Sequence, residues 1–226
     1  MLKIRLVKKR QRWSLTFYGW LLLLVFLIAL FVLFLKNIIG FLSFEETIEA
    51  KVLVAEGYVP DYSFHKMIEI FDEGNYELIV ASGTSFDQGY YLSEIKTSAD
   101  LIARSLIFLG FDSTKLAVVP IPNRIHKNRT YTSALVTKEY LQKNHPEIKK
   151  VNIMSLGPHS RRSNYLFEMA YEPEIEVGNI VVPHAAVDKY NWYKSSRGFR
   201  TVLDELIGFL YVKFFFWPDE NEQYEK

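Results

Sequence analysis

Residues 13–35, WSLTFYGWLLLLVFLIALFVLFL, run without one charged side chain, and the residues before them, MLKIRLVKKRQR, carry six Lys and Arg and no acid. No other feature restricts the folding of this chain as much. At about 1.5 Å rise per residue, a helix of this run is long enough to cross a hydrocarbon core of roughly 30 Å. The core helix of a soluble protein would need many more polar residues along one face. A cleaved signal peptide would have an apolar core of about 7–15 residues followed by a small-residue cleavage site. This run is longer, and the KNIIGFLSFEE that follows it holds no Ala-x-Ala pattern. The expectation is an uncleaved signal anchor over residues 13–36. Trp13, Tyr18 and Trp20 lie toward its basic end, where interfacial aromatics gather. The basic segment 1–12 should remain in the cytoplasm, which puts the rest of the chain outside it. In a bacterium that means single-pass residence in the inner membrane, with the bilayer itself as a partner.

Beyond a short link, residues 37–48, apolar runs alternate with helical patterns. AKVLVAEG (50–57), YELIVASG (76–83), KLAVVPI (115–121), KVNIMSL (150–156) and EIEVGNIVVP (174–183) read as strands, the last with a break expected at Gly178. Between and after them, residues 63–74, 98–110, 128–144, 162–171 and 197–216 read as helices. In the second of these, Leu101, Ile102, Ser105, Leu106 and Leu109 are expected to face inward. Strands alternating with helices imply βαβ units with right-handed crossovers. The predicted fold is a Rossmann-like three-layer α/β domain over residues 49–217, with a mainly parallel five-stranded sheet, preceded by one transmembrane helix and followed by a polar tail, 218–226. The last helix, ending in FLYVKFFFW, is read as core packed against the sheet, because apolar runs within a domain are usually core. Rest on the bilayer surface, with Trp217 interfacial, is the alternative.

In open parallel sheets, ligands bind beyond the carboxyl ends of the strands. The loops predicted at that edge are EGYVPDYS, SGTSFDQGYY, PNRIHKNRT, LGPHSRRS and PHAAVDKYNWYKSS. Helix starts favour acids, yet His126, Lys127 and Arg129 stand at one predicted start, and His159, Arg161 and Arg162 at another. Free N–H groups beside Arg suit an anion, and Gly57, Gly83 and Gly157 let backbone approach it. The opposing reading leaves these Arg solvated or paired with Glu94, Glu168 or other acids. His159 could serve as a general acid or base. A metal site is not expected, since His126, His159 and His184 lack a short ligand spacing. Asp87, Glu94 and Asp188 are available carboxylates, but no paired-acid motif stands out. No G-x-S-x-G, Walker A or G-x-G-x-x-G sequence occurs. The net charge of +1 argues against bulk nucleic-acid binding, and the absence of cysteine excludes disulfides and thiol catalysis.

The order AEGY, ASGTS, NRTYTSA, PHSRRS, LDELIG resembles the SanA/YdcF/ElyC-like family of bacterial proteins over roughly residues 50–212. Thr130 and Ala134 match its Thr-x-x-x-Ala, His159 and Arg162 its His-x-x-Arg, and Glu205 and Gly208 its C-terminal helix. Thr84 stands where the second glycine of its Ser-Gly-Gly turn is usual, Ser163 where Ala is usual, and TSAD where it has Ser-Glu-Ala. The resemblance implies a Rossmann-like domain and, for members with an N-terminal anchor, a part in envelope integrity, including peptidoglycan and lipid-carrier metabolism. One soluble member is associated with S-adenosylmethionine, which makes that a candidate cofactor by analogy. The expected ligand is an anionic, phosphorylated or lipid-linked envelope intermediate held by Gly57, Gly83, Thr84, Arg129, Thr130, His159, Arg161 and Arg162. The rival readings are a phosphatase or transferase with His159 as its catalytic acid or base, and a non-catalytic scaffold.

Overall fold

A computed structural model describes residues 13–57, 59–87, 90–121 and 127–218. The chain divides into two units, residues 1–38 and 39–226. The basic segment 1–12, most of the polar tail and His126 lie outside the described residues.

The first unit contains most of α1 (Phe17–Leu42), a helix of 26 residues. At about 1.5 Å per residue it is about 39 Å long. It is apolar and long enough to cross a membrane. Its large side chains from Phe17 to Phe34 are exposed all round the helix, as a lipid-facing helix requires and a core helix does not allow. The helix continues to Leu42, so residues 37–42 of the expected link are helical.

The second unit holds five strands, β1 (Val52–Ala55), β2 (Leu78–Gly83), β3 (Leu116–Pro120), β4 (Lys150–Leu156) and β5 (Glu176–Val182). Five helices join and follow them: α2 (Tyr62–Glu73), α3 (Ser98–Phe108), α4 (Arg129–Asn144), α5 (Ser160–Tyr171) and α6 (Ser196–Phe215). The strand order is β3-β2-β1-β4-β5 and every pairing is parallel. β5 is continuous through Gly178, which keeps register opposite Asn152.

Strand residues alternate between two cores because successive side chains leave opposite faces of a sheet. Val52, Val54, Val80, Val151 and Ile153 pack with Tyr131, Ala134, Leu166, Phe167 and Val212 of α4, α5 and α6. Leu53, Ala55, Ile79, Ala81 and Met154 pack with Phe64, Met67, Phe71, Ile102 and Leu106 of α2 and α3. Local chemistry sets the helix ends. Thr97 Oγ1 accepts from the Asp100 amide at 3.0 Å to start α3, and Ser195 Oγ accepts from the Gly198 amide at 2.9 Å to start α6. In α3 the fully buried positions are Ala99, Ile102, Ala103 and Leu106, while Leu101, Ser105 and Leu109 are half-buried.

Two buried asparagines fasten the segment after α1 to the sheet. Asn152 Nδ2 donates to the Ile48 carbonyl and to Tyr76 Oη, both at 2.7 Å, and its Oδ1 accepts from the Ile48 amide at 3.1 Å. Asn179 Nδ2 donates to the Phe44 carbonyl, and Glu46 forms an antiparallel bridge with Asn179. Ser160 Oγ donates to the Leu42 carbonyl at 3.1 Å.

The last helix departs from its expected core role. Gly198, Val202, Phe209 and Val212 are buried, but Ile207, Leu210, Tyr211, Phe214 and Phe215 are exposed. Its apolar residues surround the helix, and the sheet can cover only one side.

Candidate functional site

β1 and β4 lie side by side while their outgoing connections run to opposite halves of the sheet, to β2 and to β5. The crevice beyond the carboxyl ends of such a pair is where open α/β sheets hold ligands. Glu56 follows β1 directly. At the end of β4 a single 3-10 turn, Gly157–His159, leads into α5. Gly157 has φ +48°, and a Cβ there would stand 2.7 Å from the Cβ of His184. Only glycine fits both the left-handed backbone and the crowding. This turn delivers His159 to Glu56, and one helical turn later Arg162 projects on the same side.

The result is a closed ionic group from three distant stretches of chain. His159 Nε2 stands 3.1 Å from Glu56 Oε1, and its Nδ1 stands 3.1 Å from Glu205 Oε2. Arg162 donates through Nε and Nη2 to the two oxygens of Glu205, at 2.8 and 3.1 Å, a fork-to-fork pair. The second oxygen of Glu56 accepts from Ser155 Oγ at 3.2 Å and from Ser163 Oγ. The side chains of Glu56, His159, Arg162 and Glu205 are only 10, 23, 25 and 16% exposed.

Burial disfavours every charge in this group, but the opposite charges prevail. Desolvation lowers the pKa of His159, yet Glu56 and Glu205 raise it to about 9, so the ring is an imidazolium at neutral pH. Against the same desolvation, His159 and Arg162 hold Glu205 down to about 2 and keep Glu56 below the usual carboxylate range. With all four charged, the group sums to zero. Gly208 makes room for it: a Cβ there would lie 3.0 Å from Arg162 Nε.

The group forms the polar wall of a cleft of about 450 Å³. Asn128, Arg129 and Thr130 bring the start of α4 to this cleft, and Tyr211, Val212 and Phe216 close its other side. α4 has no acid in its first turn, and the Asn128 side chain forms no cap bond. Its positive end therefore faces the cleft with no acid of its own first turn to offset it. Arg129 pairs with Asp87 at 3.2 Å, near the surface. His184 lines the cleft too, its pKa lowered by burial and then by Arg197, with Nδ1 accepting from the Ala186 amide at 3.1 Å.

The expected ligand residues divide accordingly. Arg129, Thr130, His159 and Arg162 meet in the cleft. Gly57, Gly83 and Thr84 line an adjoining hollow of about 30 Å³ that shares Glu56, Arg129 and Thr130 with it. Arg161 is directed elsewhere, its guanidinium over the Phe41 and Phe44 rings and Nε donating to the Phe41 carbonyl. Ala134 lies on the buried face of α4, in the core. Arg162 does pair with an acid, as the opposing reading held, but the acid is Glu205; Glu168 instead accepts from Asn164 Nδ2 at 2.8 Å. Glu205 and Gly208, marked in the sequence only by the resemblance, belong to the cleft. Glu56 is not among the expected ligand residues; an acid directly at the end of a buried strand is the signal that points to it. Among the described residues no group of three or more His, Cys, Asp and Glu is placed to hold a metal ion. No protein-family model, no curated protein and no solved structure matches the chain.

Proposed function

We propose that this chain is a SanA/YdcF/ElyC-like cell-envelope biogenesis protein, anchored in the bacterial inner membrane by α1. Its α/β domain lies on the extracytoplasmic side and holds an anionic envelope intermediate, phosphorylated or lipid-linked, in the switch-point cleft. The observation that carries this reading is the convergence of Arg129, Thr130, the unacidified start of α4 and the His159 imidazolium on one cleft at the β1/β4 switch point. Glu56 and Glu205 neutralise His159 and Arg162 and Asp87 pairs with Arg129, so the ligand competes with Asp87 for Arg129 and is otherwise met by the start of α4.

The test is binding of a panel of prenyl phosphates, sugar phosphates, pyrophosphate and S-adenosylmethionine to the full chain in nanodiscs. At least one phosphorylated compound should bind, and Arg129→Gln should weaken it about tenfold, the loss of one charge-assisted hydrogen bond of about 1.5 kcal/mol. A panel in which no phosphorylated compound binds overturns the ligand class. A cytoplasmic C-terminus in a topology reporter overturns the envelope assignment.

The enzyme reading draws on one further observation. His159 is already protonated at neutral pH, and a ligand that displaces Glu56 from Nε2 would free that N–H to protonate a leaving group as a general acid, with Glu205 holding Nδ1. Turnover of a bound phosphoester that His159→Gln abolishes while binding persists would favour it.

A further inference from the structure

The unburied side of α6 is an ordered apolar surface. Ile207, Leu210, Tyr211 and Phe214 recur at helical spacing, and Phe215 and Trp217 extend the stripe, at 42–83% exposure. Their combined open area is on the order of several hundred Å², the size at which an exposed apolar patch is often functional. Residues 206–217 include one cation, Lys213, and no acid. A partner interface usually has a polar rim. An apolar stripe with Tyr and Trp at its margin and a lysine alongside has the composition of a helix lying in a bilayer interface.

The chain supplies the bilayer. α1 is long and apolar enough to cross one, and the last turn of α1 belongs to the domain unit. There Phe41 packs edge-on against Phe209 of α6, ring centroids 5.5 Å apart. Residues 39–42 of the domain unit thus pack against the helix that carries the stripe. Tyr211 belongs both to the stripe and to the cleft wall.

We propose that the exposed face of α6, from Ile207 to Trp217, docks into the lipid–water interface of the membrane that α1 spans. The docked face positions the cleft mouth, at Tyr211, beside the headgroups. This goes beyond the ligand reading and does not depend on it.

The absence of cysteine provides the test. Phe214→Cys, Phe108→Cys and Leu24→Cys each create a sole thiol in the full chain, to be labelled with an environment-sensitive fluorophore. Each variant is reconstituted as one copy per nanodisc of phosphatidylethanolamine and phosphatidylglycerol, with and without nitroxide-labelled lipid. The Leu24 label should be quenched, because that residue lies in α1. Phe108, exposed on α3, should give an unquenched label. The Phe214 label should be blue-shifted and quenched at least twofold. Quenching at Leu24 but not at Phe214 overturns the docking and leaves the anchor intact. Loss of quenching at both overturns the anchor as well. A Phe214 label shielded only when two copies share a disc assigns the face to a second copy and also overturns the proposal. Phe214→Cys and Trp217→Cys sit at exposed positions, so a labelling failure from misfolding at one is checked by the other.

Discussion

Below about pH 6.5 an imidazole is protonated whether or not its chain is folded, so the attraction of Glu56 and Glu205 for His159 contributes fully there. His159 is raised to about 9 in the folded protein, and this contribution fades as pH rises from 6.5 through 9. Glu205 is lowered from 4.5 to about 2, so its contribution is present above 4.5 and fades as pH falls through 2. The group should give a stability plateau between about pH 4.5 and 6.5, declining on both sides. Urea unfolding across that range measures it. Glu205→Gln should cost about 3 kcal/mol on the plateau, the lower end for breaking a buried pair, and should flatten both limbs; unchanged limbs would contradict the pairing. Gly208→Ala poses a finer question. The alanine gains about 1 kcal/mol of helix propensity but crowds Arg162 at a cost of about 1 kcal/mol or more. Stability should barely change, while the His159 titration followed by NMR moves below 9 as the Glu205 fork is disturbed. An unmoved titration would separate Gly208 from the site. The sequence disclosed half of this group. His159 and Arg162 lie three apart and can be read as neighbours on one helix start. Their acids are 103 and 46 residues from His159, and no local periodicity carries a pairing across such distances.

The strands were legible because alternation and apolar runs are local properties. β4 runs over Lys150–Leu156, the stretch that the sequence indicated, and the other strands lie inside their predicted ranges. α5 begins at Ser160, before the predicted 162, because the 3-10 turn winds straight into it. What a strand pattern cannot reveal is why Asn152 sits in the middle of β4 at full burial. Its carboxamide satisfies both backbone groups of Ile48, in the segment that follows α1. Asn152→Ala should therefore cost about 1–2 kcal/mol, since it leaves two partly buried backbone groups of Ile48 unpaired. The Ile48 amide should lose hydrogen-exchange protection ahead of the rest of the sheet. Equal protection in variant and parent would show that the clamp is dispensable. α6 was misjudged for an element-scale reason: an all-apolar run reads as core, and only the packing reveals which side the sheet leaves uncovered.

At the scale of the molecule, the prediction is that alkaline carbonate leaves the full chain in the membrane pellet, as a 26-residue apolar helix requires; release into the supernatant would exclude a span. The joining of α1 to the domain also has a temporal side. A ribosome makes residues 44–48 early, but the residues that hold them, Asn152 and Asn179, follow 104 and 135 positions later. At about 5–20 residues per second that is a delay of roughly 5–27 seconds. Glu56 waits equally long for His159, and longer for Glu205. Arrested nascent chains that end before β5 should be cleaved by protease within 44–48, and released full-length chains should not. The clasp is thus completed once β5 has been made and the cleft only when α6 follows, so a product truncated before β5 carries neither.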